Sequence, residues 1–343
     1  MAHVKKNGVL VVNLGSPDST KTEDVRSYLK EFLMDGRVID IPGFARWLLV
    51  HLIILPTRPK RSAKAYKKVW TDEGSPLIVY GQQLTHGLID SLGEDFHVEL
   101  AMRYGNPSMQ SAVEALRNAG CDRIIVVPLY PQYASATTGS IYEKLMQILK
   151  SEWNIPEIVF VGDFFDDQRF IDSFAAVAKP HIEEFKPDML LFSYHGLPKR
   201  HLLRGDPTGE HCQKKAGCCD VIESCNRFCY RAQCMATSQS LAQALGLGSH
   251  QHTTSFQSRL GRAEWIRPYT DDVTSELAKK GVKRLAVMCP AFVADCLETL
   301  EEIGMELKEQ WLEEGGEDFR LIPSLNSNKV WLKNLSDLIR SYQ

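Results

Sequence analysis

A chain of 343 residues with 44% hydrophobic and 24% charged side chains is long enough for two domains, each with its own apolar core, and needs no disulfide staples to fold. Lys and Arg number 40 against 43 Asp and Glu, so no global basic field exists to recruit nucleic acid. The opening MAHVKKNGVLVVNLGSP lacks the apolar core and small-residue cleavage site of an export signal, which predicts reduced thiols and a cytoplasmic chain.

In chain order, GVLVVNLGSP is the first of several short β-branched runs that close on Gly, Pro or polar residues. IPGFARWLLVHLIIL, residues 41–55, is the most apolar stretch. It carries Arg46 and His51 and falls short of the roughly 20 apolar residues a spanning helix needs. It is either a buried core helix or an exposed apolar lip that touches a hydrophobic ligand or rests on a membrane surface. VELAMRYGNP, RIIVVPLYPQY, EIVFVGDF, MLLFSYHGLP, HTTSFQSRLG and RLAVMCPAFV repeat the first pattern and predict strands buried on both faces, hence parallel. Between them SMQSAVEALRNAG and TDDVTSELAKKG are amphipathic and end on the Gly that suits a helix C-terminus.

The sum is an α/β chain of parallel βαβ units. The strands fall into an early and a late group about SEWNIPE, which predicts two similar open sheets in domains 1–150 and 151–310. The segment 311–343 carries the helix SNKVWLKNLSDLIRSY, expected to pack back, and the active site is expected in the cleft between the sheets.

Open sheets of this kind bind ligands at the carboxyl ends of their strands. No G-x-G-x-x-G or G-x-x-x-x-G-K-[ST] phosphate loop occurs there, which disfavours a nucleotide enzyme. What does occur is His195, between the run LLFSY and a Gly-Leu-Pro turn, an imidazole suited to proton abstraction or metal ligation. A helix starting near Asp295 would set Glu298, Glu301 and Glu302 on one acidic face, with Glu298 nearest the cleft. A His with a Glu can hold ferrous iron weakly enough to release it. Tyr104, Tyr130, Tyr133 and Trp265 could line a flat apolar slot, with Arg37, Arg46 or Arg103 available for a ligand's carboxylates.

Six of the nine cysteines lie in HCQKKAGCCDVIESCNRFCYRAQC, residues 211–234. That density in a chain expected to be reduced reads as a metal site, either structural zinc or an iron–sulfur cluster.

The blocks VVNLGSP, YPQYASATTGS, FSYHGLPKRHLLRGDPTGEHC, SFQSRLGRAEWIRPYT and FVADCLETLEEI together resemble the ferrochelatases, from about residue 8 to 310. The resemblance implies two Rossmann-like domains and insertion of ferrous iron into protoporphyrin, the last step of haem assembly. It sets His195 at the family's catalytic histidine and Glu298 at its metal-path glutamate, both also read as metal ligands. Arg103, Tyr104 and Tyr133 fall at its porphyrin pocket, with Arg46, Tyr130 and Trp265 as further substrate contacts, and Asp295 and Glu302 on the inner acidic helix. Where some members have a histidine two residues before the glutamate, this chain has Cys296. Several members carry a [2Fe-2S] cluster, commonly through C-terminal cysteines. Here no cysteine follows Cys296, so the 211–234 insertion is the expected cluster site, with Cys212, Cys219, Cys229 and Cys234 as ligands. Alternatives are a chelatase for coproporphyrin or a cobalt-receiving precursor, and a non-catalytic haem or iron–sulfur sensor on the same fold. An apolar lip at 41–55 would suit a peripheral position at the inner face of the membrane.

Overall fold

The computed structural model describes residues 6–259, 261 and 263–343; the first five residues of the opening segment and positions 260 and 262 within SFQSRLGRAEWIRPYT lie outside these. The chain divides into two compact units. One takes the chain up to Tyr130, with Ser135–Gly162 and Leu332–Gln343; the other takes Pro131–Ala134 and Asp163–Trp331.

The first unit is built on β1 (Asn7–Ser16), β2 (Phe96–Gly105), β3 (Arg123–Pro128) and β4 (Glu157–Phe160), in the order β2-β1-β3-β4. Every pairing is parallel. Parallel strands need both faces covered. Leu10, Val12, Ile124 and Val126 therefore pack under Val113, Leu116, Ile141 and Leu145 of the helices Met109–Asn118 and Ser140–Leu149. Each such side chain contributes about 1.5–3 kcal/mol by leaving water. Gly15 pairs with Tyr104 at φ +119, and a Cβ there would lie 1.8 Å from the Tyr104 carbonyl oxygen, so only glycine lets the two strand ends close up.

The second unit repeats the winding with β5 (Met189–His195), β6 (His252–Gln257), β7 (Arg284–Met288) and β8 (Asp318–Leu321), in the order β6-β5-β7-β8 and again all parallel. Leu191, Leu285 and Val287 meet Ile303, Leu307 and Trp311 in its core.

Two expectations change. The run EIVFVGDF, grouped above with the late strands, is β4 of the first sheet: Arg123 pairs with Glu157 in register, and their side chains form two 2.9 Å hydrogen bonds. The crossover through Ser140–Leu149 simply returns to the same sheet, as a βαβ connection does. β8, the tetrapeptide DFRL, carried too few apolar residues to register as a strand. Within the first unit the C-terminal segment does pack back: Leu332 lies over Gly87 of the helix Pro76–Leu92, and Arg340 donates to the Ser91 carbonyl at 2.6 Å.

Residues 43–69 form a continuous helical run, α-helical over Gly43–Leu48 and Leu55–Val69, with a widened π-helical stretch at Leu49–Ile54. Val50 and Leu55 face inward, whereas Phe44 (76%), Leu52 (62%) and Ile53 (65%) are exposed. The stretch is a surface lip and not a core helix. Among the described residues no helix is long and apolar enough to cross a membrane.

Candidate functional site

β5 lies between β6 and β7, where the winding reverses, and strand ends at such a switch point leave room for a ligand. His195 is the last residue of β5 and pairs with Gln257, the last of β6. The next residue must be glycine: a Cβ on Gly196 would stand 2.7 Å from the Gln257 carbonyl oxygen and 3.2 Å from the Trp265 ring. His195 Nδ1 is 2.6 Å from the Gly196 carbonyl, which can only accept, so Nδ1 carries the proton and Nε2 keeps its lone pair. The rings of Trp265 and Phe292 flank the imidazole at 6.4 and 6.3 Å between centroids. Tyr230 anchors the strand end from below by donating its hydroxyl to the His195 carbonyl at 2.9 Å.

The acidic element differs from expectation. It is a π-helix, Glu298–Leu307, and not an α-helix beginning near Asp295. The i→i+5 ladder widens each turn, which brings Glu298 and Glu302 closer to one face and turns Glu301 into the interior. Asp295 is buried, accepting from Thr299 Oγ1 (2.9 Å), Asn326 Nδ2 (2.8 Å) and the Ser324 amide, so it fixes the loop ahead of the helix. Gln257 Nε2 donates to the Glu298 carbonyl at 3.0 Å, and its Oε1 accepts from Ser193 Oγ at 2.8 Å. Ser258, held at φ +66, donates to Glu302 Oε2 at 2.6 Å. A non-glycine residue in the left-handed region beside reactive groups is stored strain of the kind found at functional sites.

Burial pushes the Glu302 carboxyl above its usual 4.5; the Ser258 hydrogen bond works against that shift, as does His195 whenever it carries a second proton, and Glu298 adds to it. Among the described residues neither Glu298 nor Glu302 forms an ion pair with Lys or Arg. The buried Cys296 thiol donates to the Glu298 carboxylate, and burial followed by that charge holds the thiol protonated. An imidazole with a free Nε2 beside two carboxylates, of which Glu302 has its proton affinity raised, can accept protons, pass them on, and hold a cation without trapping it.

The cationic candidates in the first unit are already engaged. Arg103 donates to Asp35 Oδ2 (2.7 Å) and to Ser140 Oγ (2.7 Å), and the Tyr104 hydroxyl donates to Asp35 at 2.9 Å. Tyr104 is fully buried and takes a structural part in this network. Burial raises Asp35, but the Ser140, Arg37 backbone and Tyr104 donors with the Arg103 charge outweigh it and hold the carboxyl below 3.8. Burial and Asp35 drive the Tyr104 hydroxyl far upward. Arg46 Nη1 donates to the Ile39 and Ile41 carbonyls at 3.1 Å, which ties down the turn before the lip. Arg37 is paired with Glu143 and Ser135. Tyr130 packs on the core of the first sheet.

In the second unit Tyr133 donates its amide to Gln233 Oε1 at 2.6 Å and meets Phe228, at the end of the cysteine segment, edge to face at 5.1 Å. All nine cysteines are free. Cys218 and Cys219 sulfurs lie 3.8 Å apart. Cys219 donates to Cys229, whose thiol is thereby drawn below 9.0 despite burial, and Cys212 stands within electrostatic reach of Cys218 and Cys219. Cys234 instead is fully buried against the Tyr230 hydroxyl. Cys212, Cys218, Cys219 and Cys229 are linked by these interactions, and Cys234 in its buried position also feels the charge of Cys219. Sequence reasoning also missed Gln257, Ser258 and Phe292; the only signal was their position at strand ends.

Comparison with known proteins bears on the chain as a whole. The Ferrochelatase family model matches residues 6–343. A ferrochelatase of Coxiella burnetii (strain CbuK_Q154) is 48% identical over 98% of this chain and 93% of its own. One from Legionella pneumophila (strain Paris) is 45% identical over 97% and 98%. Among solved structures, SirB from Bacillus subtilis with Fe3+ superimposes with a TM-score of 0.53 at 12% identity, covering 98% of this chain and 95% of that one, which speaks for the fold alone. Matched over almost its whole length by the family model and by relatives of this identity, the chain belongs to the ferrochelatase family, enzymes that insert ferrous iron into a porphyrin.

Proposed function

We propose that the porphyrin is protoporphyrin IX and that His195, Glu298 and Glu302 carry out the insertion. The observation that supports this most is the pairing of an imidazole whose Nε2 lone pair is free, at the end of β5, with a buried carboxyl raised above 4.5 on the helix Glu298–Leu307. A free-base porphyrin must lose two N–H protons before a metal can take its four nitrogens. His195 Nε2 accepts a pyrrole proton, and Glu302, whose affinity for protons is raised, takes it onward. Glu298, half-buried and without a Lys or Arg partner among the described residues, delivers Fe2+ as substrate. Trp265 and Phe292 beside the imidazole suit an apolar macrocycle, and binding energy along its faces supplies the few kcal/mol needed to ruffle the ring and expose its lone pairs. The exposed lip at Phe44, Leu52 and Ile53 favours the more apolar protoporphyrin over coproporphyrin and a position at a membrane surface.

The cysteine segment would hold a [2Fe-2S] cluster through Cys212, Cys218, Cys219 and Cys229. The donor chemistry fits: four sulfurs lie in one loop, and although burial and the neighbouring thiols push Cys212 and Cys219 up, Arg231 offsets part of that rise. Such a cluster, when bound, supplies one-electron redox chemistry and a covalent tie, neither of which the insertion requires. The deciding experiment is anaerobic Fe2+ insertion measured on protoporphyrin and coproporphyrin side by side, with iron, sulfide and the visible spectrum of the purified protein. Equal or better turnover of coproporphyrin overturns the substrate assignment. A colourless, sulfide-free and fully active protein overturns the cluster.

A further inference from the structure

The cysteine segment contains a second constellation that neither the insertion chemistry nor the four gathered thiols use. His211 Nδ1 lies 3.2 Å from Cys225 Sγ and 3.8 Å from Glu223 Oε2, and Cys225 Sγ lies 3.6 Å from the same carboxylate. One imidazole nitrogen, one sulfur and one carboxylate oxygen thus converge within 4.8 Å. A tetrahedral zinc ion with ordinary bond lengths requires ligand atoms about 3.3–3.6 Å apart, so the triangle is close to the size of a zinc site.

The three donors are aimed by the surrounding loop. The Asp206 carboxylate accepts from the backbone amides of His211 (2.9 Å) and Cys212 (2.8 Å), which fixes where the first arm starts. His211 is buried, and its Nε2 faces the Cys218 carbonyl at 2.9 Å. That oxygen can only accept, so Nε2 carries the proton and the Nδ1 lone pair points at Cys225 and Glu223. This is the outer hydrogen bond that ligating histidines almost always make. Buried Asn226 sets the second arm: its Oδ1 accepts from the Glu223 amide at 2.6 Å, and its Nδ2 donates to the Cys218 and Val221 carbonyls at 3.0 and 2.8 Å.

We propose that His211, Glu223 and Cys225 form a mononuclear site for a divalent transition-metal cation, Zn2+ ahead of Fe2+, separate from the thiols of Cys212, Cys218, Cys219 and Cys229. A thiolate among the donors excludes Mg2+ and Ca2+, and the general order of affinities sets zinc above ferrous iron. Three protein donors leave the fourth position to water. The ion joins the arm that starts at Asp206 to the arm held by Asn226, and so fastens the loop independently of any cluster. The proposal does not rest on the cluster being present.

The test uses the anaerobic full-length protein, titrated with Zn2+ against a chromophoric chelator and then with Co2+, whose spectrum reports a tetrahedral site containing sulfur. In His211→Gln, Glu223→Gln and Cys225→Ser, one equivalent of Zn2+ should bind more than about a hundredfold more weakly, a larger loss than the 10–100-fold that follows from losing an outer hydrogen-bond partner. Cys219→Ser should keep that equivalent. Half of the Glu223 side chain faces solvent, so Glu223→Gln should fold normally and guards against a trivial loss of structure. Zn2+ should raise the melting temperature of wild type and Cys219→Ser but not of Glu223→Gln. Loss of the equivalent in Cys219→Ser, or its retention in any two of the three ligand variants, overturns the proposal. So does bleaching of the visible colour by Cys225→Ser, which would make Cys225 a cluster ligand.

Discussion

The two units share one winding, with strand orders β2-β1-β3-β4 and β6-β5-β7-β8, yet they spend their charged residues in opposite ways. In the first, Asp35, Arg103, Tyr104 and Ser140 close into a network in which each charge meets its complement, and the Asp35 carboxyl is held low. In the second, among the described residues, Glu302 accepts from the neutral donors Ser258 and Gln257, has His195 and the like charge of Glu298 nearby, and its carboxyl is held high. A paired, acid-resistant carboxylate is a fastener; an under-paired carboxyl with raised proton affinity is chemistry kept at the expense of stability. Fold alone cannot tell the two apart. The side-chain partners can.

The largest break in this contrast should come from His195→Ala. Removing the free Nε2 should lower insertion by about 10²–10⁴-fold, the range for losing general acid–base catalysis, while fluorescence quenching still reports porphyrin binding. Activity within threefold of wild type would remove His195 from the proton path.

Asp35→Asn tests the other side. It leaves the Arg103 guanidinium buried without its counter-charge, with side-chain exposures of 12% and 9% in the native pair. A loss on the order of 3 kcal/mol in denaturant unfolding is expected, as for other broken buried pairs. Because the folded value lies below 3.8, the Asp35 contribution is present above that pH and is lost as pH falls through the folded value. The difference between wild type and variant should therefore shrink in acid. A constant difference from pH 7 to 2 would show that Asp35 acts through packing.

Glu302→Gln should have the opposite sign. A carboxyl raised above 4.5 contributes fully to stability below 4.5, and that contribution is lost as pH rises through the folded value. At neutral pH the amide should therefore be the more stable, by a few degrees in Tm, and the less active. The gain should vanish towards pH 4. A variant less stable than wild type at pH 7.5 would mean that Glu302 is a fastener like Asp35.

How much of this could be read beforehand depended on the length scale of the signal. Among the described strands, β1, β3, β5 and β7 announce themselves because a parallel strand is apolar on both faces, and β6, HTTSFQ, by its β-branched run and the turn after it, whereas DFRL, half polar and four residues long, does not. Sheet membership of β4 was illegible because a crossover can return to either edge, and nothing in EIVFVGDF says which partner it takes. His195 and Glu298 stood out by chemistry at strand ends. The fate of Arg103 and Arg46 did not, since their partners are set by the folded backbone: Asp35 lies 68 residues away from Arg103. The π-helical widening that separates Glu301 from Glu302 leaves no mark in a pattern read with the α-helical period.

The smallest expected effect concerns what each unit inserts between its first two strands. The second inserts the cysteine segment; the first inserts the helical run 43–69 with its exposed apolar residues. Phe44, Leu52 and Ile53 leave little apolar surface buried in the free chain, so replacing them by Ser should cost within about 0.5 kcal/mol each in stability. Against a lipid surface the same side chains would each contribute up to about 1.5–3 kcal/mol, so the triple variant should associate with anionic liposomes at least about tenfold more weakly. Val50→Ser supplies the reciprocal control, because Val50 is buried: it should lower Tm and leave liposome association unchanged. If the triple variant lost stability while keeping its liposome association, the lip would be part of the first unit's packing, and the contrast between the two insertions would reduce to the thiols alone.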